Sequence, residues 1–185
     1  MRSFAKIQLT IGVYWCVLGV RVSVPKVMGE EQLTVMFTGY VTHKLDPKSR
    51  VAVPARWCAD QDNLLILMDA QTEGHPVVKC YTRASFSAQI ARIRRHLEGI
   101  NALPGQIDQY VGKIIGVSYE AEVSSQGKLL IPKKQRERLQ LADTATLVGR
   151  GAYFEIWAPA DYEATIAPET LAALEFDKYF NMMNS

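Results

Sequence analysis

LDPKSRVAVPAR, residues 45–56, and VSSQGKLLIPKK, residues 123–134, decide how this chain reads. They align without a gap at a constant offset of 78 residues, and Pro54 and Pro132 are the one identity between them. What they share is a pattern: an apolar residue, four polar turn residues ending in Ser49 or Gly127, a basic residue, a short apolar strand, the proline, and a basic residue two places on. Asp46 before Pro47 suits the first two positions of a type I turn, because proline fixes φ near the required value and the aspartate side chain accepts backbone N–H groups. Gly127 supplies the positive φ that such a hairpin needs at its end. The strands VAVP (51–54) and LLIP (129–132) are short, and each proline ends its strand by withdrawing a ladder donor. A chain that writes this pattern twice is expected to contain two copies of one unit.

Outward from the first copy, LLILM (64–68) and residues 77–81 read as strands, with turn chemistry at residues 74–76 between them. Phe86, Ile90, Ile93 and Leu97 recur at helical spacing, which predicts an amphipathic helix with Arg92, Arg94, Arg95 and His96 mostly on its solvated faces. GINALPG (99–105) reads as the linker that closes the first unit. Beyond it stand a mixed segment over 106–116, strands near 118–123 and 128–132, a short helix over 133–141, and strands over 144–148 and 152–157 joined by a VGRG turn. The tail predicts a helix over 169–180. From residue 158 on it carries five acidic residues and one lysine, so it is expected to face away from any phosphate backbone. The expected division is residues 1–35 as an N-terminal extension, 36–103 as the first unit, 104–160 as the second and 161–185 as a helical tail. The expected class is mainly β with α, an α+β protein with flanking helices.

The chain has 185 residues, 48% hydrophobic and 22% charged, which is the composition of a soluble globular protein able to build its own core. A net charge of +2 is too small to argue for nucleic acid. The residues before Met36 carry four basic and two acidic groups, leaving 17 of each sign afterwards. The electrostatic case therefore rests on where the charges sit. Residues 43–57 hold Lys44, Lys48, Arg50 and Arg56 against Asp46 alone, and residues 127–138 hold Lys128, Lys133, Lys134, Arg136 and Arg138 against Glu137 alone. If a pseudo-twofold axis relates the units, both segments fall on one face and can follow adjacent phosphates of a duplex. Asp46 carries a second reading, closing its own turn by pairing with Arg50, and both jobs are compatible. Trp57, Phe154 and Trp157 read as core.

Cys16, Cys58 and Cys80 form no C-x-x-C pair, and His43, His75 and His96 stand at no metal-ligand spacing, so a reducing compartment with neither metal nor cofactor is expected. No G-x-S-x-G, P-loop, H-E-x-x-H or paired-carboxylate motif occurs, which argues against an enzyme and a small-molecule substrate. The apolar run IQLTIGVYWCVLGV (7–20) behind Arg2 and Lys6 is similar to a signal peptide but too short to span a bilayer comfortably as a helix. The cytosolic character of the remainder favours an upstream extension, with Met28 or Met36 opening the functional chain, and no membrane partner is expected.

MFTGYVTHKLDPKSRVAVPARW (36–57) and LQLADTATLVGRGAYFEIW (139–157), with their MF-x-G opening, D-x-x-x-R turn, LVG turn and terminal EIW, closely resemble the MraZ family. Together with the repeat, the resemblance covers everything after the extension. It implies tandem AbrB-like swapped-hairpin β-barrel units, two βββ units interlacing their hairpins as an intrachain pseudo-dimer. It also implies a cytoplasmic, nucleoid-associated transcriptional regulator that assembles into a ring-shaped homo-oligomer. Such a regulator binds double-stranded DNA at promoter repeats ahead of the division and cell-wall gene cluster. The family's D-x-x-x-R maps onto Asp46 and Arg50, with Ser49 where a glycine is usual. In the second unit Ser124 and Lys128 replace the aspartate and arginine. Lysine keeps the charge but loses the planar fork, so the first unit is expected to make the sharper contacts and the second to clamp phosphate. The expected DNA-binding set is Lys44, Asp46, Lys48, Arg50, Arg56, Lys128, Lys133 and Lys134. The competing reading is an AbrB-like antitoxin or protein-interaction module, which a single short unit with a disordered tail would favour.

Overall fold

A computed structural model describes residues 36–58 and 63–167, the paired segments 16–17 and 20–21, and position 182. The chain divides into two compact units, residues 1–32 and 33–185. In the first, β1 (Cys16–Val17) pairs antiparallel with β2 (Val20–Arg21). The rest of the apolar N-terminal run and the helix expected over 169–180, apart from position 182 beyond it, lie outside the described residues.

The second unit is α+β. In chain order it contains β3 (Tyr40–Lys44), β4 (Arg50–Ala52), a 3-10 turn (Ala55–Trp57), β5 (Leu64–Thr72), β6 (His75–Thr82), α1 (Arg83–Gly99) and α2 (Pro104–Val117). There follow β7 (Tyr119–Glu122), β8 (Lys128–Leu130), α3 (Lys133–Arg138), β9 (Thr144–Gly149), β10 (Tyr153–Trp157) and α4 (Pro159–Thr165). One antiparallel sheet has the order β3-β9-β10-β6-β5-β7, and β4 and β8 form a separate two-stranded ribbon. Among the described residues β3 and β7 are the two ends of that sheet and do not pair with each other, so the sheet is open where a closed barrel was expected. The reason lies in the turns after β3 and β7, which carry the chain off the sheet and into the ribbon.

The pairing crosses between the two copies of the pattern. β3 pairs with β9, β7 with β5, β6 with β10, and β4 with β8. Within the ribbon Val51 lies opposite Leu129, its own equivalent at the 78-residue offset. The surrounding hydrogen bonds repeat at the same offset. The N–H of Asp46 donates to the carbonyl of Arg50 and that of Ser124 to Lys128; Ser49 donates to Asp46 and Gly127 to Ser124; Val53 donates to Gly127 and Ile131 to Ser49. Ser49 and Gly127 both sit at positive φ, 61° and 70°, where Gly127 is at ease and a serine costs about 1–2 kcal/mol.

The core lies between the ribbon and the sheet. Val51 and Leu129 are fully buried, with Leu67, Leu147, Phe154 and Ile156 around them. Phe37, Trp57 and Phe154 form an aromatic cluster with ring centroids 5.2–5.6 Å apart, so two of the tryptophan and phenylalanine positions read as core are core. Trp157, the third, is fully buried against Tyr162 of α4. The MF-x-G and LVG segments meet here. The carbonyl of Phe37 packs so closely on Gly149 that a Cβ there would collide with backbone, which is why glycine ends β9.

Three expectations shift. The turn between β5 and β6 is Glu73–Gly74, and His75 and Pro76 already belong to β6, because the strands run further than their apolar stretches. The first ribbon strand begins one residue earlier than read, at Arg50, the second begins at Lys128 as in the reading over 128–132, and both end two residues before the proline, at Ala52 and Leu130. The mixed segment 106–116 is helix α2, started by Pro104 and held by a hydrogen bond from the Leu103 N–H to the Gln106 side chain. The predicted helical stripe is α1, capped by the Thr82 hydroxyl, with Phe86 buried against Tyr81 and the later positions half-buried.

Candidate nucleic-acid interface

The turn after β3 is built around one carboxylate. Asp46 Oδ1 accepts the N–H of Lys48 at 3.0 Å and of Arg50 at 3.0 Å, which fixes the turn and starts β4. Asp46 Oδ2 accepts Arg50 Nε at 2.8 Å, and Arg50 Nη2 lies at 2.8 Å from the same oxygen. Asp46 therefore takes two of the five donors on the guanidinium and sets its plane. In the second copy Ser124 Oγ accepts the Lys128 N–H at 3.2 Å, so the turn is closed in the same way without a charge. Lacking a carboxylate of its own, Lys128 reaches across the ribbon and places Nζ 3.3 Å from Asp46 Oδ2. One carboxylate thus holds the equivalent cations of both copies. The side-chain and backbone hydrogen bonds from Arg50, joined by Lys128, hold the Asp46 carboxyl well below the usual carboxylate range.

Register decides which way these side chains face. Val51 and Leu129 point into the core, so their neighbours Arg50, Ala52, Lys128 and Leu130 stand on the outer face of the ribbon. Arg50 and Lys128 keep about a third of their side-chain surface open, 29% and 34%. Lys48 is exposed on the turn and Lys44 at the end of β3, opposite Thr144. Arg56 is exposed on the 3-10 turn, where it donates to the carbonyl of Thr38 at 3.0 Å and lies 5.9 Å from the Trp57 ring centre. Lys133 and Lys134 are exposed at the start of α3, with Lys133 3.6 Å from Glu137.

Side-chain contact unites three of the eight expected site residues, Asp46, Arg50 and Lys128, and Lys48 joins them through its backbone N–H. Lys44, Arg56, Lys133 and Lys134 make no hydrogen bond or ion pair to that cluster among the described residues. Arg138, counted in the second basic segment, serves the fold: its guanidinium donates to the carbonyls of Val77 and Ala70 and fastens α3 to the β5–β6 hairpin. Sequence reading also passed over Glu155. It is fully buried and accepts from Arg150 Nε at 2.9 Å, Thr72 Oγ1 at 2.8 Å and Trp157 Nε1 at 3.0 Å. The sequence shows only a glutamate between Phe154 and Ile156 in a predicted strand, and its burial follows from the packing of Thr72, Arg150 and Trp157 around it. Among the described residues no group of three His, Cys, Asp or Glu side chains is placed to hold a metal, and no helix is long and apolar enough to cross a membrane.

Fold and site define an α+β protein in which a duplicated strand-turn-strand unit pairs with its own copy and gathers cations on the outer face of the resulting ribbon. A family model described as "MraZ protein, putative antitoxin-like" matches residues 114–179. The transcriptional regulator MraZ of Parvibaculum lavamentivorans is 31% identical over 132 residues, covering 69% of this chain and 79% of that protein. The protein of the same name from Nitrosococcus oceani is 28% identical over 146 residues, covering 76% of this chain and 93% of its own length. That of Roseiflexus castenholzii is 27% identical over 153 residues and matched along 100% of its length. The chain belongs to the MraZ family.

Proposed function

We propose that this chain is a sequence-specific, DNA-binding transcriptional regulator whose β4–β8 ribbon docks its outer face on duplex DNA. The observation that carries the reading is the convergence of Arg50 and Lys128, equivalent cations of the two copies, on Asp46 at the exposed face of a ribbon whose other face is core. The relatives' common name, transcriptional regulator, supports the same reading. Arg50 serves as the geometrically fixed contact, Lys128 as a phosphate clamp, and Asp46 as the residue that positions both. Lys44, Lys48, Arg56, Lys133 and Lys134 add phosphate contacts around them. The cross-copy pairing and its offset-repeated hydrogen bonds support an intrachain pseudo-dimer of the AbrB swapped-hairpin kind. Residues 36–103 and 104–160 are its two units, with 1–35 and 161–185 as flanking extension and tail. In this reading the protein acts in the cytoplasm at the nucleoid, as a ring-shaped homo-oligomer, on repeats ahead of the division and cell-wall genes, and performs no catalytic step.

Competition binding tests it. Full-length chain is titrated with labelled DNA from upstream of its own gene against a scrambled duplex, beside Arg50→Ala. Preference for the native sequence that is lost in Arg50→Ala supports the proposal, and equal affinity for both duplexes contradicts it. The alternative, an antitoxin-like interaction module, draws on the exposed apolar residues Leu103, Tyr110, Ile115 and Val117 at α2. It predicts that equal affinity, with a protein partner bound through that helix.

A further inference from the structure

We infer that Leu130 reads the methyl group of a thymine in the major groove, an inference that rests on the DNA-binding reading above. A B-DNA major groove, about 12 Å wide, admits a two-stranded β-ribbon. In the β4–β8 ribbon Leu130 lies opposite Arg50, and directly opposed residues of an antiparallel pair project to the same side. That side is the outer one, because Val51 and Leu129 between them are fully buried. The hydrogen bonds from Ile131 to Ser49 and from Val53 to Gly127 flank the Val51–Leu129 pair, which makes Arg50 and Leu130 a non-hydrogen-bonded pair. Such pairs bring their Cβ atoms within about 4.5–5.5 Å.

A leucine 50% exposed therefore stands beside Arg50 and two residues along β8 from Lys128, on the outer face that they share. Single exposed leucines are common on protein surfaces and need no explanation by themselves. This one stands beside the point where the Arg50 and Lys128 charges meet at Asp46, so a phosphate drawn to that point sets the neighbouring base edge beneath the apolar side chain. Among base edges in the major groove, thymine offers an apolar group, its C5-methyl, and an apolar side chain is the matching contact. The equivalent position in the first copy is Ala52, two carbons from the backbone shorter in reach, so the two halves of the ribbon read unequal half-sites.

The test uses duplexes enriched from a random pool by the full-length chain, resynthesised with each thymine replaced singly by deoxyuridine, which removes the methyl alone. One position is expected at which the wild-type chain loses about fourfold in affinity, the change that corresponds to burying one methyl-sized group. Leu130→Ala is expected to bind thymine and uracil duplexes equally at that position, and Leu130→Met, which keeps an apolar reach, to retain most of the difference. If an enriched duplex binds but no uracil substitution affects the wild type, or if Leu130→Ala still discriminates, the inference is overturned while DNA binding stands. If no sequence is enriched over the starting pool, the regulator reading itself fails, and this inference with it.

Discussion

At the scale of single residues, Asp46 and Glu155 show two uses of a carboxylate. Asp46 lies at the outer face of the ribbon, where solvent reaching Arg50 and Lys128, each about a third open, screens its ion pairs. Its value is positional, and Asp46→Asn is expected to leave the fold intact. Removing a negative charge between two cations raises affinity for scrambled DNA while freeing Arg50 to swing, so the ratio of specific to non-specific affinity falls; competition titrations read this directly. The pH dependence has a definite sign. A folded-state pKa held below its unfolded value contributes stability that is present above the unfolded pKa, near 3.9 for aspartate, and is lost as pH falls towards the folded one. The stability gap between wild type and Asp46→Asn is therefore constant above about pH 5 and closes on acidification below the ordinary carboxylate range, as denaturant titrations at pH 7, 5 and 3 would show. Glu155 is the opposite case. Glu155→Gln removes the buried counter-charge that Arg150 and Lys79 share and leaves Arg150, about a third exposed, with Glu73 alone at 3.8 Å, so the expected loss is about 1–3 kcal/mol in denaturant unfolding.

At the scale of elements, the twelve-residue pattern was enough to place both turns and the short strand after each, because turn chemistry and the strand-ending proline act locally. It could not reveal the Lys128–Asp46 contact, which spans 82 residues and depends on the register of β4 against β8. Nor did it reveal helix α2, whose Gly105, Gly112 and Gly116 dilute helical propensity and whose buried positions, Ile107 and Val111, are too few to draw a clear stripe. Ser49 occupies a left-handed conformation that glycine adopts freely, so Ser49→Gly is expected to stabilise the unit by about 1 kcal/mol, and Gly127→Ser to destabilise it by a similar amount. Thermal melts of the two variants check the pair, and equal shifts in the same direction would contradict the equivalence.

At the scale of the whole molecule, four strand pairings cross between the copies, whereas β5–β6 and β9–β10 pair within one. Neither copy can satisfy its strand edges or bury Val51 and Leu129 without the other. A chain ending at residue 103 is expected to lack cooperative unfolding and near-ultraviolet circular dichroism, while the full chain's second unit unfolds in one transition. The same interlacing brings Arg50 and Lys128, equivalent cations from segments 78 residues apart, together at the ribbon in a sequence whose charges balance from Met36 on. Whether the outer face of this ribbon holds DNA is decided by the salt dependence of binding. Full-length wild type, Arg50→Ala, Lys128→Ala and the double variant are titrated with one duplex over a range of salt concentrations. The slope of log affinity against log salt is expected to fall by about 0.9 for each phosphate contact removed, with the double variant losing the most. Slopes and affinities unchanged across all four proteins would contradict DNA binding at that face.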